Sequence, residues 1–163
     1  MLRYCLPCSK DIDTCNNLKK EVIVRLNSLN LPLWNEEYPS DELIKEDIES
    51  GRGRIILNDE DEIIAYASVA PSIEEFNEEV FLYSNLLAIS RLMVKTGCEN
   101  QGIATYFIHQ IINEAKVKCY KGIGIMVHPI NERAIKLYKK LGFKFEQRKQ
   151  YFYGEYDTYS YLL

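Results

Sequence analysis

The stretch that most limits what this chain can fold into runs from Asn85 to Lys118. Asn85–Val94 is apolar nearly throughout, which suits a strand covered on both faces. Gln101–Lys118 then sets Ala104, Phe107, Ile108, Ile111, Ile112 and Ala115 on one unbroken helical stripe, with His109 off the stripe and facing solvent. Between them lies a short loop carrying Gly102-Ile-Ala104. A strand that runs through such a loop into a helix presents a row of backbone N–H groups at the positive end of the helix dipole. A phosphate or pyrophosphate suits that arrangement best. The apolar run Gly122–Val127 follows directly, and strand–helix–strand in this order implies a right-handed parallel crossover.

The flanking segments read differently. Leu2–Leu6 is a short first strand. Asp11 and Asp13 offer a cap and first-turn charge to a helix through Leu18, Val22, Leu26 and Leu29, ended by Asn30-Leu-Pro32. Ser40 reads as the N-cap of a second helix carrying Leu43, Ile44, Asp47 and Ile48 up to Gly51. Arg52–Leu57 and Glu62–Ala70 are strands joined by the acidic turn 58–61. Asn131–Leu141 is a last helix closed by Gly142, and Phe143–Tyr153 with Glu155–Leu163 forms a tyrosine-rich terminal hairpin turned at Gly154. The order β-α-α-β-β-β-α-β-α-β-β predicts an α/β (α+β) fold. Its sheet is mixed and mostly antiparallel, with a parallel pair at the centre and helices on both faces.

At 163 residues this is most simply a single domain spanning 1–163, large enough for a real core. A formal net charge of −4 argues against a nucleic-acid or anionic-membrane surface and mildly favours a cationic ligand. No apolar run approaches the roughly 20 residues that span a bilayer, and the first residues lack a signal-peptide core, so the expectation is a cytoplasmic protein. Five cysteines at irregular spacing fit reduced thiols. Cys5-Leu-Pro-Cys8 has redox or zinc half-site spacing. It lacks the helix start and the second ligand pair those chemistries need, so it reads as a strand end and no metal is expected.

Leu33–Pro39 is both aromatic and acidic. It can be a loop anchored through Trp34 and Tyr38, or a pocket wall in which Trp34, Glu37 and Tyr38 bind substrate, with Glu36 or Glu37 facing a cation. Glu74, Glu75, Glu78 and Glu79 form a charge run that is either simply solvated or turned toward a basic substrate.

Three segments together resemble one family. Arg91-Leu-Met-Val94 followed by Glu99-Asn-Gln-Gly-Ile-Ala104 is similar to an acetyl-CoA loop of the form Gln/Arg-x-x-Gly-x-Gly/Ala. Asn131, Ala134, Tyr138, Gly142 and Phe143 keep the spacing Asn-x-x-Ala-x-x-x-Tyr-x-x-x-Gly-Phe. Leu2-Arg-Tyr4 with Asp11 is similar to the usual first strand and the start of the first helix. The chain thus resembles the GCN5-related N-acetyltransferase (GNAT) family over most of its length.

The resemblance implies transfer of an acetyl group from acetyl-CoA, a co-substrate, to a primary amine by direct attack through a tetrahedral intermediate. The acceptor would be a small cationic amine or a peptide amine. It implies that the amides of Asn100, Gln101, Gly102, Ile103 and Ala104 hold the pyrophosphate, and that the backbone of Met93 and Val94 holds the pantetheine arm where two parallel strands splay. Asn131 would add a side-chain contact to the cofactor, and Tyr138 would be the general acid for the leaving thiolate. Spacing alone leaves packing open for Tyr138, since Ala134, Tyr138 and Leu141 share a helix face. Neither nucleic acid nor membrane is implied as a partner, and a homodimer is one option for assembly.

An alkylammonium of pKa near 10.4 must lose a proton before it attacks. Glu36, Glu37, Ser90 and His128 are candidate bases, with none singled out. One residue departs from the motif: Glu99 stands where Gln or Arg is usual. At about 4 Å from a pyrophosphate its repulsion would be about 1 kcal/mol in water and about 4 kcal/mol at an effective dielectric of 20; a side chain turned to solvent would avoid most of it. Glu99 keeps a second reading open, an acyl-CoA-binding regulatory module with weak or no catalysis.

Overall fold

In the computed structural model, which describes residues 1–76 and 80–163, the chain forms seven strands and five helices among those residues. In chain order they are β1 (Arg3–Cys5), α1 (Ile12–Ser28), α2 (Asp41–Glu49), β2 (Gly53–Leu57), β3 (Ile63–Pro71), α3 (Ser72–Glu75) and β4 (Leu86–Val94). There follow α4 (Ile103–Val117), β5 (Gly122–Val127), α5 (Glu132–Lys140), β6 (Lys144–Tyr151) and β7 (Gly154–Leu162). The strands hydrogen-bond in the order β1-β2-β3-β4-β5-β7-β6. β4 and β5 run parallel from the Leu86–Gly122 pair to the Ile89–Ile125 pair, while β1-β2, β2-β3, β5-β7 and β6-β7 are antiparallel. The expected mixed, mostly antiparallel sheet with one parallel pair is therefore present. The one-turn helix α3 is additional to the expected elements. Glu78 and Glu79, half of the predicted acidic run, lie outside the described residues.

Backbone contacts divide the chain into two compact units, Met1–Ser68 with Arg91–Ile108, and Val69–Ser90 with His109–Leu163. In the first unit, Cys15, Leu18 and Val22 of α1, Ile44 and Ile48 of α2, and Ile55, Ile63, Tyr66 and Met93 of the strands form one apolar cluster. α2 thus buries Ile44, Asp47 and Ile48 of its announced stripe; α1 buries Leu18 and Val22 but leaves Leu26 half-buried and Leu29, just past its end, 52% exposed. Ser40 caps α2 through Leu43 N–H (3.1 Å), as expected. Ahead of α1 the chain first makes a short 3-10 turn, Ser9–Asp11, in which the Asp11 carboxylate accepts from Cys8 N–H (2.8 Å). Cys5 ends β1 and Cys8 caps the 3-10 turn that leads into α1, so a helix start does follow the pair, contrary to the expectation, although no disulfide joins them. All five cysteines are free.

In the second unit, Val80, Phe81, Leu86, Ala88 and Tyr151 cluster around the start of β4. Gly124 is required there, because a Cβ at that position would come within 2.7 Å of the Phe81 ring. The terminal hairpin turns through Phe152-Tyr153, with Tyr151 paired to Gly154, two residues earlier than the sequence suggests. Among the described residues no helix is long and apolar enough to cross a membrane.

Candidate functional site

The first unit carries the strand, loop and helix start. β4 reaches Val94, and Lys95 N–H donates to Ile64 C=O (2.8 Å), which fixes the end of the strand. The loop beyond it contains three left-handed residues, Gly97 (φ +93°), Asn100 (+62°) and Gly102 (+76°). Tyr106 N–H donates to Gly102 C=O (2.9 Å), so helical bonding begins at Gly102. The N–H groups of Ile103, Ala104 and Thr105 consequently precede any intrahelical acceptor. Such N–H groups at a helix start lie at the positive end of the helix dipole and favour an anion. A Cβ built on Gly102 meets nothing within 4 Å, so open space stands in front of this backbone. The described residues thus fit a pyrophosphate.

Glu99 points neither at that space nor into bulk water. One carboxylate oxygen accepts from Gly97 N–H (2.7 Å) and the other from Arg25 Nη1 of α1 (2.7 Å). The same Arg25 nitrogen donates to Val94 C=O (3.0 Å) and Thr96 Oγ1 (3.2 Å). Glu99's own N–H and that of Gly97, with Arg25 beside them, hold its carboxyl below the usual range against partial burial. Met93 is buried in the core of this unit and Val94 is half-buried; both lie beyond the last parallel pair at Ile89.

Sequence reasoning missed one cluster in this unit. Asp47 of α2 is fully buried and takes two parallel bonds from Arg91 of β4, Nε to Oδ2 and Nη2 to Oδ1, both 2.9 Å. The Tyr66 hydroxyl donates to Oδ2 as well (2.8 Å). Arg91, 7% exposed, sits in mid-strand at φ +55°, a conformation costing a non-glycine residue about 1–2 kcal/mol. Its Nη1 donates to the Tyr38 hydroxyl (3.3 Å). The signals existed: an aspartate on the apolar stripe of α2 and an arginine inside an apolar strand.

The predicted substrate loop also lies in this unit. Trp34 packs on the apolar cluster, as the anchoring reading required. Tyr38 is 46% exposed, held by Arg91 at its hydroxyl and by Asn35 Oδ1 at its N–H. Glu36 and Glu37 are exposed.

The second unit carries α5. Asn131 caps it, its Oδ1 accepting from Ala134 N–H (3.4 Å). Tyr138, 8% exposed, packs against Phe143 at 5.9 Å between ring centres, and burial pushes its hydroxyl up to about 12. Gly142 at φ +100° ends the helix, its space bounded by the Tyr161 ring at 3.2 Å. Ser90 is half-buried on β4. His128 accepts a bond from Ile130 N–H at Nδ1 (3.2 Å). Among the described residues no group of three or more His, Cys, Asp or Glu is placed to hold a metal ion.

The family model for the Acetyltransferase (GNAT) family matches residues 21–143. A GNAT-family acetyltransferase from Streptococcus agalactiae 2603 superposes with a TM-score of 0.83 at 20% identity, covering 99% of this chain and 95% of its own. Another from Listeria monocytogenes 4b F2365 gives 0.82 at 16% identity, again over 99% and 95%. A candidate streptothricin acetyltransferase from Bacillus anthracis str. Ames, in complex with acetyl coenzyme A, gives 0.58 at 19% identity over 68% of this chain and 61% of its own. No curated protein matches the chain. These identities speak for the fold alone, whereas the family model spans the strand, the loop, α4 and the Asn131–Phe143 segment in one match. The chain belongs to the Acetyltransferase (GNAT) family, whose acyl donor is acetyl-CoA.

Proposed function

We propose that the chain acetylates a primary amine, either a small cationic amine or an exposed peptide amine, and that the amine attacks the thioester directly. The observation that carries this reading is the loop 97–104, with its left-handed turns, its N–H groups at the head of α4 and the open space at Gly102. Asn100, Gln101, Gly102, Ile103 and Ala104 hold the pyrophosphate, and the backbone of Met93 and Val94 holds the pantetheine arm. Asn131, whose Oδ1 is committed to its helix, has its amide nitrogen to offer the cofactor. Acetyl-CoA supplies an activated acyl group: the N–C bond forms as the C–S bond breaks, and the proton shed by the amine passes to a base among Glu36, Glu37, Ser90 and His128.

Tyr138 serves the leaving sulfur as a hydrogen-bond donor. Its hydroxyl has a pKa pushed up to about 12, so it is a neutral phenol throughout the physiological range. A protonated phenol beside the sulfur can pass its proton to the leaving thiolate, the general-acid role, or donate a bond to it as charge develops. Such a bond to a charged acceptor is worth about 1.5–3 kcal/mol. Trp34, Glu37 and Tyr38 bind the acceptor: the phenol of Tyr38 is held in place by Arg91, and the exposed Glu36 and Glu37 favour a cation.

The test is incubation with acetyl-CoA and a panel of amines, followed by product mass. Acetylation of at least one amine is expected; CoA binding with no acetylated product would leave an acyl-CoA-binding module instead. Tyr138→Phe should lower kcat about 10- to 100-fold with KM nearly unchanged, and an unchanged kcat would remove Tyr138 from this role.

A further inference from the structure

Glu99 is the one motif position whose chemistry opposes the proposed ligand, and the structure shows what that carboxylate does. It is held on both sides, by Gly97 N–H and by Arg25, and is 23% exposed. Arg25 in turn binds Val94 C=O at the end of β4 and the Thr96 hydroxyl in the loop, while Thr96 reaches Glu21 C=O one turn back along α1 (3.5 Å). One guanidinium nitrogen of α1 therefore joins the last residue of the strand, the middle of the loop and the residue just before Asn100. Further ties lie inside the loop: Cys98 N–H donates to Lys95 C=O (2.9 Å) and Gln101 Nε2 to Gly97 C=O (3.4 Å).

We propose that Glu99 and Arg25 are positioning residues that preform the acetyl-CoA loop. The pair is neutral as a unit. The carboxylate uses up Gly97 N–H, while the N–H groups of Ile103, Ala104 and Thr105 at the head of α4 have no intrahelical acceptor. Arg25 fixes the strand end and the loop in one register before any ligand arrives. A loop ordered in advance loses less conformational freedom on binding, which raises affinity without a new contact. The inference rests on the proposed role of this loop in acetyl-CoA binding, and its test separates the two.

Two opposed outcomes follow for Glu99→Gln. If the carboxylate merely repels the pyrophosphate, its removal tightens CoA binding. If it positions the loop, removal weakens binding. Calorimetric titration of CoA into the wild-type protein and into Glu99→Gln, Arg25→Met and the double variant distinguishes these. About three- to tenfold weaker binding is expected for each single variant, with the double no weaker than the worse single, because both residues act through one contact. Acetyl-pantetheine, which lacks the pyrophosphate, should retain its wild-type KM with Glu99→Gln. Equal or tighter CoA binding by Glu99→Gln, or strictly additive losses in the double variant, would overturn the proposal. Gly102→Val, which fills the open space before the loop and also strains a backbone held at φ +76°, tests the underlying reading once circular dichroism shows the variant folded. If it binds CoA as well as wild type, the loop is not the pyrophosphate site, and the positioning role fails with it. If it loses CoA while Glu99→Gln does not, only the positioning role fails.

Discussion

Replacing Asp47 by asparagine tests the buried network most severely. Asp47 Oδ2 accepts from Arg91 Nε and Tyr66 OH, and Oδ1 accepts from Arg91 Nη2. An asparagine has one acceptor oxygen, so whichever way its amide turns, NH2 faces at least one donor. Arg91 loses the carboxylate it pairs with while only 7% exposed. Breaking such a pair from one side costs about 3–5 kcal/mol, against a total stability of about 5–15 kcal/mol. With a urea m-value of about 2 kcal/mol/M, the midpoint should fall by about 1.5–2.5 M. Tyr66→Phe is the control: it removes one bond and leaves the ion pair intact, so about 1–2 kcal/mol is expected. Asp47→Leu with Arg91→Met removes both charges together and should recover part of the single-variant loss. Equilibrium urea unfolding followed by circular dichroism measures all three. A midpoint for Asp47→Asn within 0.3 M of wild type, a shift of about 0.6 kcal/mol at that m-value, would refute the idea that this pair holds α2 to β4.

Two further outcomes follow from particular positions. A Cβ at Gly122 would meet the backbone oxygen of Tyr161 at 2.3 Å, and neither strand can yield without breaking the β5-β7 ladder. Gly122→Ala should therefore cost at least the 1–3 kcal/mol typical of overpacking, read as a lower melting temperature; a wild-type value would contradict the strand register. Cys15 is fully buried and its thiol is pushed up to about 12 by burial, whereas Cys8 and Cys119 are exposed. An alkylating reagent at pH 8 should label Cys8 and Cys119 in the native protein and Cys15 only after denaturation, as peptide mass mapping would show.

The elements were legible in the sequence where one periodicity had one interpretation. The α4 stripe, the apolar run of β5 and the Ser40 cap all appear where spacing places them, because each rests on residues close in the chain. Boundaries moved by a residue or two where competing local structure intervened, as with the 3-10 turn ahead of α1 and the Phe152-Tyr153 turn. The strand, loop and helix start of 85–118 were legible because they are contiguous in the chain.

What the sequence alone determined is the order of the strands and of the longer helices, and the family, all properties of short stretches with fixed spacing. It could not say where Glu99 turns, since the answer is Arg25, 74 positions earlier in the chain. Nor could it pair Asp47 with Arg91, 44 positions apart. Charges that are isolated in sequence acquire their energetic meaning only when folding selects their neighbours and removes the water between them. That selection belongs to tertiary structure. It converts the carboxylate at position 99 from an apparent flaw into part of a neutral, hydrogen-bonded pair.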